Sequence, residues 1–335
     1  MKPVTIIGGG LAGLTLGIAL RERDVPVRII EAGRYPRHRV CGEFISGSGA
    51  EVVQAMGIVQ PLQAQSVAFF CGTQRAGHHR LPMPALCVSR FVLDAALAKK
   101  FRKVGGELRE GERWHAGNDS EGIVFANGRR PSPVENGFRW FGLKIHARKV
   151  SLDADLEMHL SRNAYVGLCR LPDGEVNVCG LFRRTVGEDA HGKSLEWLRG
   201  EPGSQLFQRL KSANFVEESF CAVAGLNLSP QPIDTRECRI GDALTMIPPI
   251  TGNGMSMAFE SAQLAAAPLS GYARGENSWE EATGDIARAL QITFSRRLNW
   301  AVRLHRMMFS NPGATALRWM FRAAPLWRAS FALTR

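Results

Sequence analysis

The stretch VTIIGGGLAGLTLGIALRERDVPVRIIEAG, starting at Val4, constrains the fold of this chain more than any other. It reads as a short apolar run from Val4 to Ile7, a glycine cluster, an amphipathic run ending near Arg23, and a second apolar run from Val27 to Ile30 closed by Glu31. That order predicts strand, turn, helix and strand, the opening unit of a parallel nucleotide-binding sheet. Gly8 permits the tight turn off the strand, Gly10 lets the backbone approach a pyrophosphate, and Gly13 lets helix and strand pack closely. Leu11 and Ala12 stand at the start of the helix, whose free N–H groups and positive dipole end favour an anion. Glu31, with Ala32 beside it, closes the second strand, where a carboxylate can accept both hydroxyls of an adenosine ribose. An acid there disfavours a 2′-phosphate, so the site suits FAD or NAD better than NADP.

At 335 residues the chain has room for one large domain or two interleaved ones. No uninterrupted apolar stretch reaches the length of a membrane span, and the first strand begins at once, so a cytoplasmic protein without a signal peptide is expected. The seven cysteines form no CxxC pair or zinc spacing, and an odd count speaks against a complete disulfide framework, so no metal site is expected. The net charge of +11 is uneven: after Asp285 there is no acid, while nine arginines follow, interleaved with Trp300, Trp319 and Trp327. Two helices broken at SNPG (310–313), with basic and apolar faces, fit this pattern and favour peripheral contact with an anionic membrane. No nucleic-acid module accompanies the charge.

Patterning divides the rest. Residues 88–108 show apolar residues at helical spacing, ended by Gly105-Gly106. From Gly137 to Arg184 short alternating runs, with PDG (172–174) as a turn, predict a meander of antiparallel strands. After Gly241 the pattern returns to helix. The expected organisation is a discontinuous nucleotide domain (1–70, 88–128 and 235–290), an antiparallel substrate-binding region (71–87 and 129–234), and basic amphipathic helices over 291–335.

Four segments in succession, GGGLAG, YPRHRVCGEFIS (35–46), VSRFVLDAAL (88–97) and RIGDALTMIPPITGNGMSMAFESAQLA (239–265), make the chain resemble the FAD-dependent oxidoreductases of the aromatic hydroxylase and geranylgeranyl reductase superfamily. The resemblance implies an α/β fold: an FAD-binding Rossmann-like domain of three-layer ββα type, with an inserted antiparallel sheet roofing the flavin and a C-terminal helical segment. It places Gly241 and Asp242 at the ribityl and pyrophosphate part of FAD, and points the turn carrying Gly252, Gly254 and Met255 at the isoalloxazine. Helix N–H groups there would stabilise negative charge on a reduced flavin. The loop of Arg37, Arg39, Cys41 and Gly42 is expected against the cofactor, with no partner base to make Cys41 a nucleophile. Arg90 is expected either at the FAD diphosphate or ribityl chain or in a salt bridge with Asp94 at i+4.

Two departures bear on chemistry. Hydroxylases of the superfamily carry Asp-Gly near mid-chain, whereas FANGRRPSPV (125–134) has Asn127-Gly128, and no second GxGxxG unit follows. NADPH or NADH is the expected electron donor, but the family's way of handling it does not transfer. Flavoprotein halogenases share the first motif, yet their WxWxIP signature is absent, which sets halogenation aside. The expected activity is hydroxylation of a hydrophobic phenolic or polyketide-type substrate through a flavin C4a-hydroperoxide. The alternatives are reduction of isoprenoid double bonds and, from another class, a non-catalytic flavin-binding membrane-associated protein. His146, Tyr165 and Arg170 are candidate polar groups of the substrate pocket, and His38, His78 and His79 have no assigned role.

Overall fold

The computed structural model describes residues 1–115, 121–130, 134, 137–187, 194–232 and 235–334. Its strands are β1 (Val4–Ile7), β2 (Val27–Glu31), β3 (Phe44–Ile45), β4 (Leu62–Cys71), β5 (Gln74–Cys87), β6 (Glu107–Glu110), β7 (Ile123–Phe125), β8 (Phe138–Arg148), β9 (Leu156–Leu160), β10 (Ala164–Arg170), β11 (Val176–Thr185), β12 (Asn214–Ala224) and β13 (Cys238–Arg239). Its helices are α1 (Leu11–Arg21), α2 (Ser48–Met56), α3 (Arg90–Lys103), α4 (Ser194–Arg199), α5 (Gln205–Leu210), α6 (Gly254–Arg274), α7 (Trp279–Met308), α8 (Asn311–Arg322) and α9 (Ala324–Leu333).

The opening unit forms as its pattern dictates. β1, β2, β6, β7 and β13 make a parallel sheet in the order β13-β7-β1-β2-β6. Leu14, Leu16, Ile18 and Leu20 of α1 are almost completely buried, each contributing about 1.5–3 kcal/mol of apolar burial. Two glycines decide the geometry. Gly8 has φ +107°, and a Cβ on Gly13 would stand 2.0 Å from the Gly8 carbonyl oxygen. α1 therefore comes closer to the strand end than any side chain would allow.

The second sheet runs β12-β8-β11-β10-β9-β4-β5-β3, antiparallel throughout except where β4 pairs with β9. Side chains alternate between its faces. Leu143, Ile145, Val166 and Val178 face a core shared with α4 and α5, whereas Trp140, Tyr165 and Leu181 face the C-terminal helices and the first domain. This sheet begins earlier than the sequence suggests: Phe44–Ile45 and all of Leu62–Cys71 belong to it, although the sequence pattern places residues up to 70 in the nucleotide domain. β4 has four apolar residues in a row at Val67–Phe70 and no clean alternation, so its pattern does not reveal which sheet it joins.

The C-terminal region holds three helices rather than two. α7 starts at Trp279 and runs unbroken to Met308, so the boundary expected at 291 falls inside a helix. The SNPG break is real, Ser310 capping α8 by accepting from the Gly313 N–H. Phe321 stacks on Phe69 at 4.0 Å between ring centres and Trp327 on His79 at 4.8 Å, fastening α8 and α9 to the large sheet. Among the described residues no helix is long and apolar enough to cross a membrane.

Candidate active site

A cavity of about 900 Å³ lies where the parallel sheet, the loop after β2, α3 and the large sheet meet. Two helix N-termini open onto it. Gly10 precedes α1 and Asn253 precedes α6, and neither helix has a side-chain cap, so their orphan N–H groups point toward the cavity. A Cβ on Gly10 would meet nothing within 4 Å, which leaves the close approach that a pyrophosphate needs. Gly252, in a left-handed turn with φ +62°, packs so tightly on Phe44 that a Cβ would overlap the ring.

Most residues expected at a cofactor do line this cavity: Gly8, Gly10, Leu11, Ala12, Glu31, Ala32, Arg39, Cys41, Gly42, Arg90, Asp242, Gly252, Gly254 and Met255. Gly13 and Gly241 do not, because they act behind the wall. Gly13 seats α1 on Gly8, while Gly241, at φ +59°, donates its N–H to Ser261 Oγ of α6 at 3.0 Å.

Glu31 is more heavily engaged than expected. Its carboxylate accepts from the Gly9 N–H at 2.7 Å, the Gly33 N–H at 2.8 Å and Arg37 at 2.5 Å. Burial works against its charge, but those N–H groups and the guanidinium groups of Arg37 and Arg39 hold its pKa below the usual carboxylate value. Glu31 is also part of the cavity lining. Arg90 forms the expected pair with Asp94 through two hydrogen bonds of 2.7 and 2.8 Å, and it also lines the cavity. Asp242 is open to the cavity and enclosed elsewhere by protein, which raises its pKa against the pull of Arg90 and Arg129. Cys41 is a wall position, and burial pushes its thiol up despite Arg90.

The substrate candidates separate. Tyr165 lines the cavity, is 6% exposed, and its hydroxyl has no hydrogen-bond partner among the described residues. Arg170 turns away and donates to the Leu152 carbonyl at 2.8 Å, so its role is to tie β10 to a neighbouring loop. His146 lies one step behind the cavity wall. His79 is taken up by Trp327 and the Phe321 carbonyl, away from the cavity. Asn127 and Gly128 reach the cavity wall with Arg129, whereas 131–133 of the same segment lie outside the described residues.

Behind that wall sits a buried polar chain that sequence patterning overlooked. Lys144 Nζ, fully buried, lies 3.1 Å from His38 Nδ1 and 3.4 Å from Glu43 Oε1. Glu43 Oε2 lies 2.7 Å from His146 Nε2, and His146 Nδ1 lies 2.9 Å from Glu175 Oε2. Arg148, 65% exposed, closes the chain on Glu175 at 2.7 Å. Glu43 itself is held at φ +58° and accepts from the Arg90 N–H and Ser89 Oγ. Burial opposes its charge, but His146 and Lys144 keep its carboxyl below the ordinary value. His38 is the member on the cavity wall, and burial followed by the Lys144 charge pulls its pKa down to about 4, leaving a neutral imidazole. The signal was present in FRWFGLKIHAR: in a strand, Lys144 and His146 share one face, opposite Leu143 and Ile145. Asn177, on the neighbouring strand, ties the Cys41 carbonyl to the sheet at 2.9 Å.

Parallel sheet, glycine turn, acid-ended β2 and roofing antiparallel sheet together define a flavin-dependent oxidoreductase fold. A family model described as an NAD(P)-binding Rossmann-like domain matches residues 6–43. The chain is 24% identical over 125 residues to conditioned medium factor receptor 1 of Dictyostelium discoideum, covering 32% of this chain and 24% of that protein. It is 28% identical over 115 residues to the 1H-pyrrole-2-carbonyl-[peptidyl-carrier protein] brominase of Pseudoalteromonas luteoviolacea (strain 2ta16), covering 32% and 28%. The matches thus span about a quarter of the length of those curated relatives. Among solved structures, the flavin-dependent brominase Bmp2 superposes with TM-score 0.76 at 17% identity over 99% of this chain and 93% of its own. The halogenase PltM in complex with phloroglucinol and FAD gives 0.72 at 16% over 98% and 78%. A geranylgeranyl bacteriochlorophyll reductase-like protein from Thermoplasma acidophilum gives 0.74 at 15% over 99% and 96%. These likenesses establish the fold, which this chain shares with halogenases and with a reductase-like protein alike.

Proposed function

We propose that this chain is an FAD-dependent monooxygenase acting on a hydrophobic, phenolic or polyketide-type substrate, with NADPH or NADH as electron donor. The residues fit the cofactor. α1 and Gly10 would hold the pyrophosphate, Glu31 the ribose, Asp242 the ribityl chain, and the α6 N-terminus the flavin ring. Bound FAD would supply two-electron chemistry with oxygen. The protein's part is to bind, exclude water and manage charge and protons.

The observation that carries the oxygenase reading is His38, a neutral imidazole on the wall of a cavity whose roof is largely apolar, backed by the Lys144 ammonium. Lys144 donates to Nδ1, which leaves Nε2–H as the hydrogen-bonding face of the ring. A phenolic oxygen gaining negative charge beside that N–H and behind it a buried cation is stabilised in a site with little water. Reduction of a prenyl double bond gains nothing from such a charge, although the reductase-like fold keeps it as the second function to test.

Turnover under ¹⁸O₂ with NADPH, candidate phenols and bromide distinguishes these. One labelled oxygen in the product is the expected result. A brominated product would move the assignment to halogenation, and anaerobic oxidation of the reduced flavin by a polyprenyl substrate would move it to reduction. A flavin-free protein that takes up no FAD would sink all three. The exposed Trp319 and Leu326 beside Arg318, Arg322 and Arg328 support peripheral contact with an anionic membrane surface, where an apolar substrate would concentrate.

A further inference from the structure

A second cavity, of about 740 Å³, lies at the far end of the large sheet, between the β9–β10 turn, the α4–α5 segment and α8. Its volume falls within the range of small-molecule sites. Met308 and Leu317, on the face of the sheet that carries the C-terminal helices, and Phe182 and Leu206, on the α4–α5 face, supply its apolar lining. Around it stand Arg162, Arg184 and Arg318, none of which forms an ion pair within 4.0 Å with a described carboxylate. Arg184 is steadied over the Trp197 ring at 4.3 Å, so its guanidinium is held in place before any ligand arrives. Glu196 and Glu201 also border the cavity, which leaves the positive charge in excess.

Tyr165 lines both cavities. It is 94% buried by its 6% exposure, and its hydroxyl is without a partner among the described residues. A buried phenol left so is costly unless something enters to bond it. If FAD occupies the first cavity, the second one meets it at this side chain.

We propose that the second cavity binds a small anionic molecule with an apolar body, an aromatic carboxylate or one of similar shape, its charge among Arg162, Arg184 and Arg318 and its ring against Tyr165. The site rests on the assignment of the first cavity to FAD only for its role in turnover. Arginine suits a carboxylate because its planar fork bonds both oxygens at once. Tyr165 is then the positioning residue that decides how far the ring reaches toward the flavin.

Calorimetric titration of the FAD-loaded protein with naphthalene-2-carboxylate and with neutral 2-naphthylmethanol tests this, with the visible flavin spectrum followed in parallel. The carboxylate should bind at least about tenfold more tightly than the alcohol, and Arg318→Ala and Arg184→Ala should each weaken it by about tenfold. Arg318 is exposed on α8, so its loss leaves the core intact. The carboxylate should perturb the flavin spectrum, and Tyr165→Phe should alter that perturbation. Equal binding of acid and alcohol, indifference to both arginine variants, or a flavin spectrum blind to the ligand would overturn the proposal. The same titration without FAD separates the two claims. Carboxylate binding by a protein that takes up no FAD would sink the flavin assignment alone, whereas FAD uptake without carboxylate binding would sink this site alone.

Discussion

Single residues carry the sharpest tests because two glycines of one motif do different work. A Cβ on Gly13 would collide with the Gly8 carbonyl oxygen, while one on Gly10 would meet open space. Gly13→Ala should therefore lower stability in urea unfolding by about 1–3 kcal/mol. Gly10→Ala should leave the urea midpoint of the flavin-free protein unchanged yet weaken FAD retention, since the added methyl occupies the space a phosphate needs. Equal midpoints for both variants would refute this division. Lys144 gives a second test. Removing it leaves Glu43 a buried charge short of one partner, so Lys144→Met should destabilise by about 3–5 kcal/mol. Because Lys144 is, after burial, the largest cause of the low His38 pKa, the variant should also raise that pKa from about 4 toward the ordinary 6.5, readable by NMR.

At the scale of elements, the helices show how local signals and tertiary packing share the work. α7 begins with a capping box in which Ser278 Oγ accepts from the Glu281 N–H at 3.1 Å and the Glu281 carboxylate accepts from the Ser278 N–H at 2.7 Å. Ser278→Ala should cost about 1 kcal/mol in thermal or urea unfolding. α8 and α9 carry arginines and aromatics in a pattern that sequence alone assigns equally to a membrane or to a core. The fold resolves part of it: Phe321 and Trp327 are buried against β4 and β5, while Trp319 faces outward at 65% exposure. Trp327→Ala should destabilise by about 3–5 kcal/mol, whereas Trp319→Ser should leave unfolding unchanged and reduce sedimentation with anionic vesicles. Full sedimentation of the Trp319 variant would refute the membrane face.

For the whole molecule, pH links burial to stability. His38 and His305 both titrate at about 4 in the fold, burial being the main cause in each, against 6.5 in an unfolded chain. The folded state binds these protons less readily. Their contribution is complete above about pH 6.5 and is lost as pH falls through 4, so the Tm should drop across that window. His305, packed against Trp140 and Phe309, joins α7 to the large sheet. His305→Gln should flatten the pH dependence, and an unchanged slope would show that other groups dominate.

The sequence by itself determined the nucleotide-binding unit, because a glycine turn between an apolar strand and a helix, closed by an acid, is a local device whose parts lie within about thirty residues. It also determined which later segments return to that unit, since Arg90, Asp242 and the Gly252–Met255 turn each sit in a recognisable local context. Tertiary structure alone decided what those segments face. The fate of Glu43, His38 and Lys144 depended on two segments far apart in the chain, the loop after β2 and strand β8, converging on one wall, and a charged residue in a strand shows its burial only when its neighbours are in place. The joining of β3 and β4 to the large sheet, the turning away of Arg170, and the meeting of two cavities at Tyr165 have the same cause. Strand pairing and cavity walls are contacts between distant residues, and a one-dimensional pattern records only the near ones.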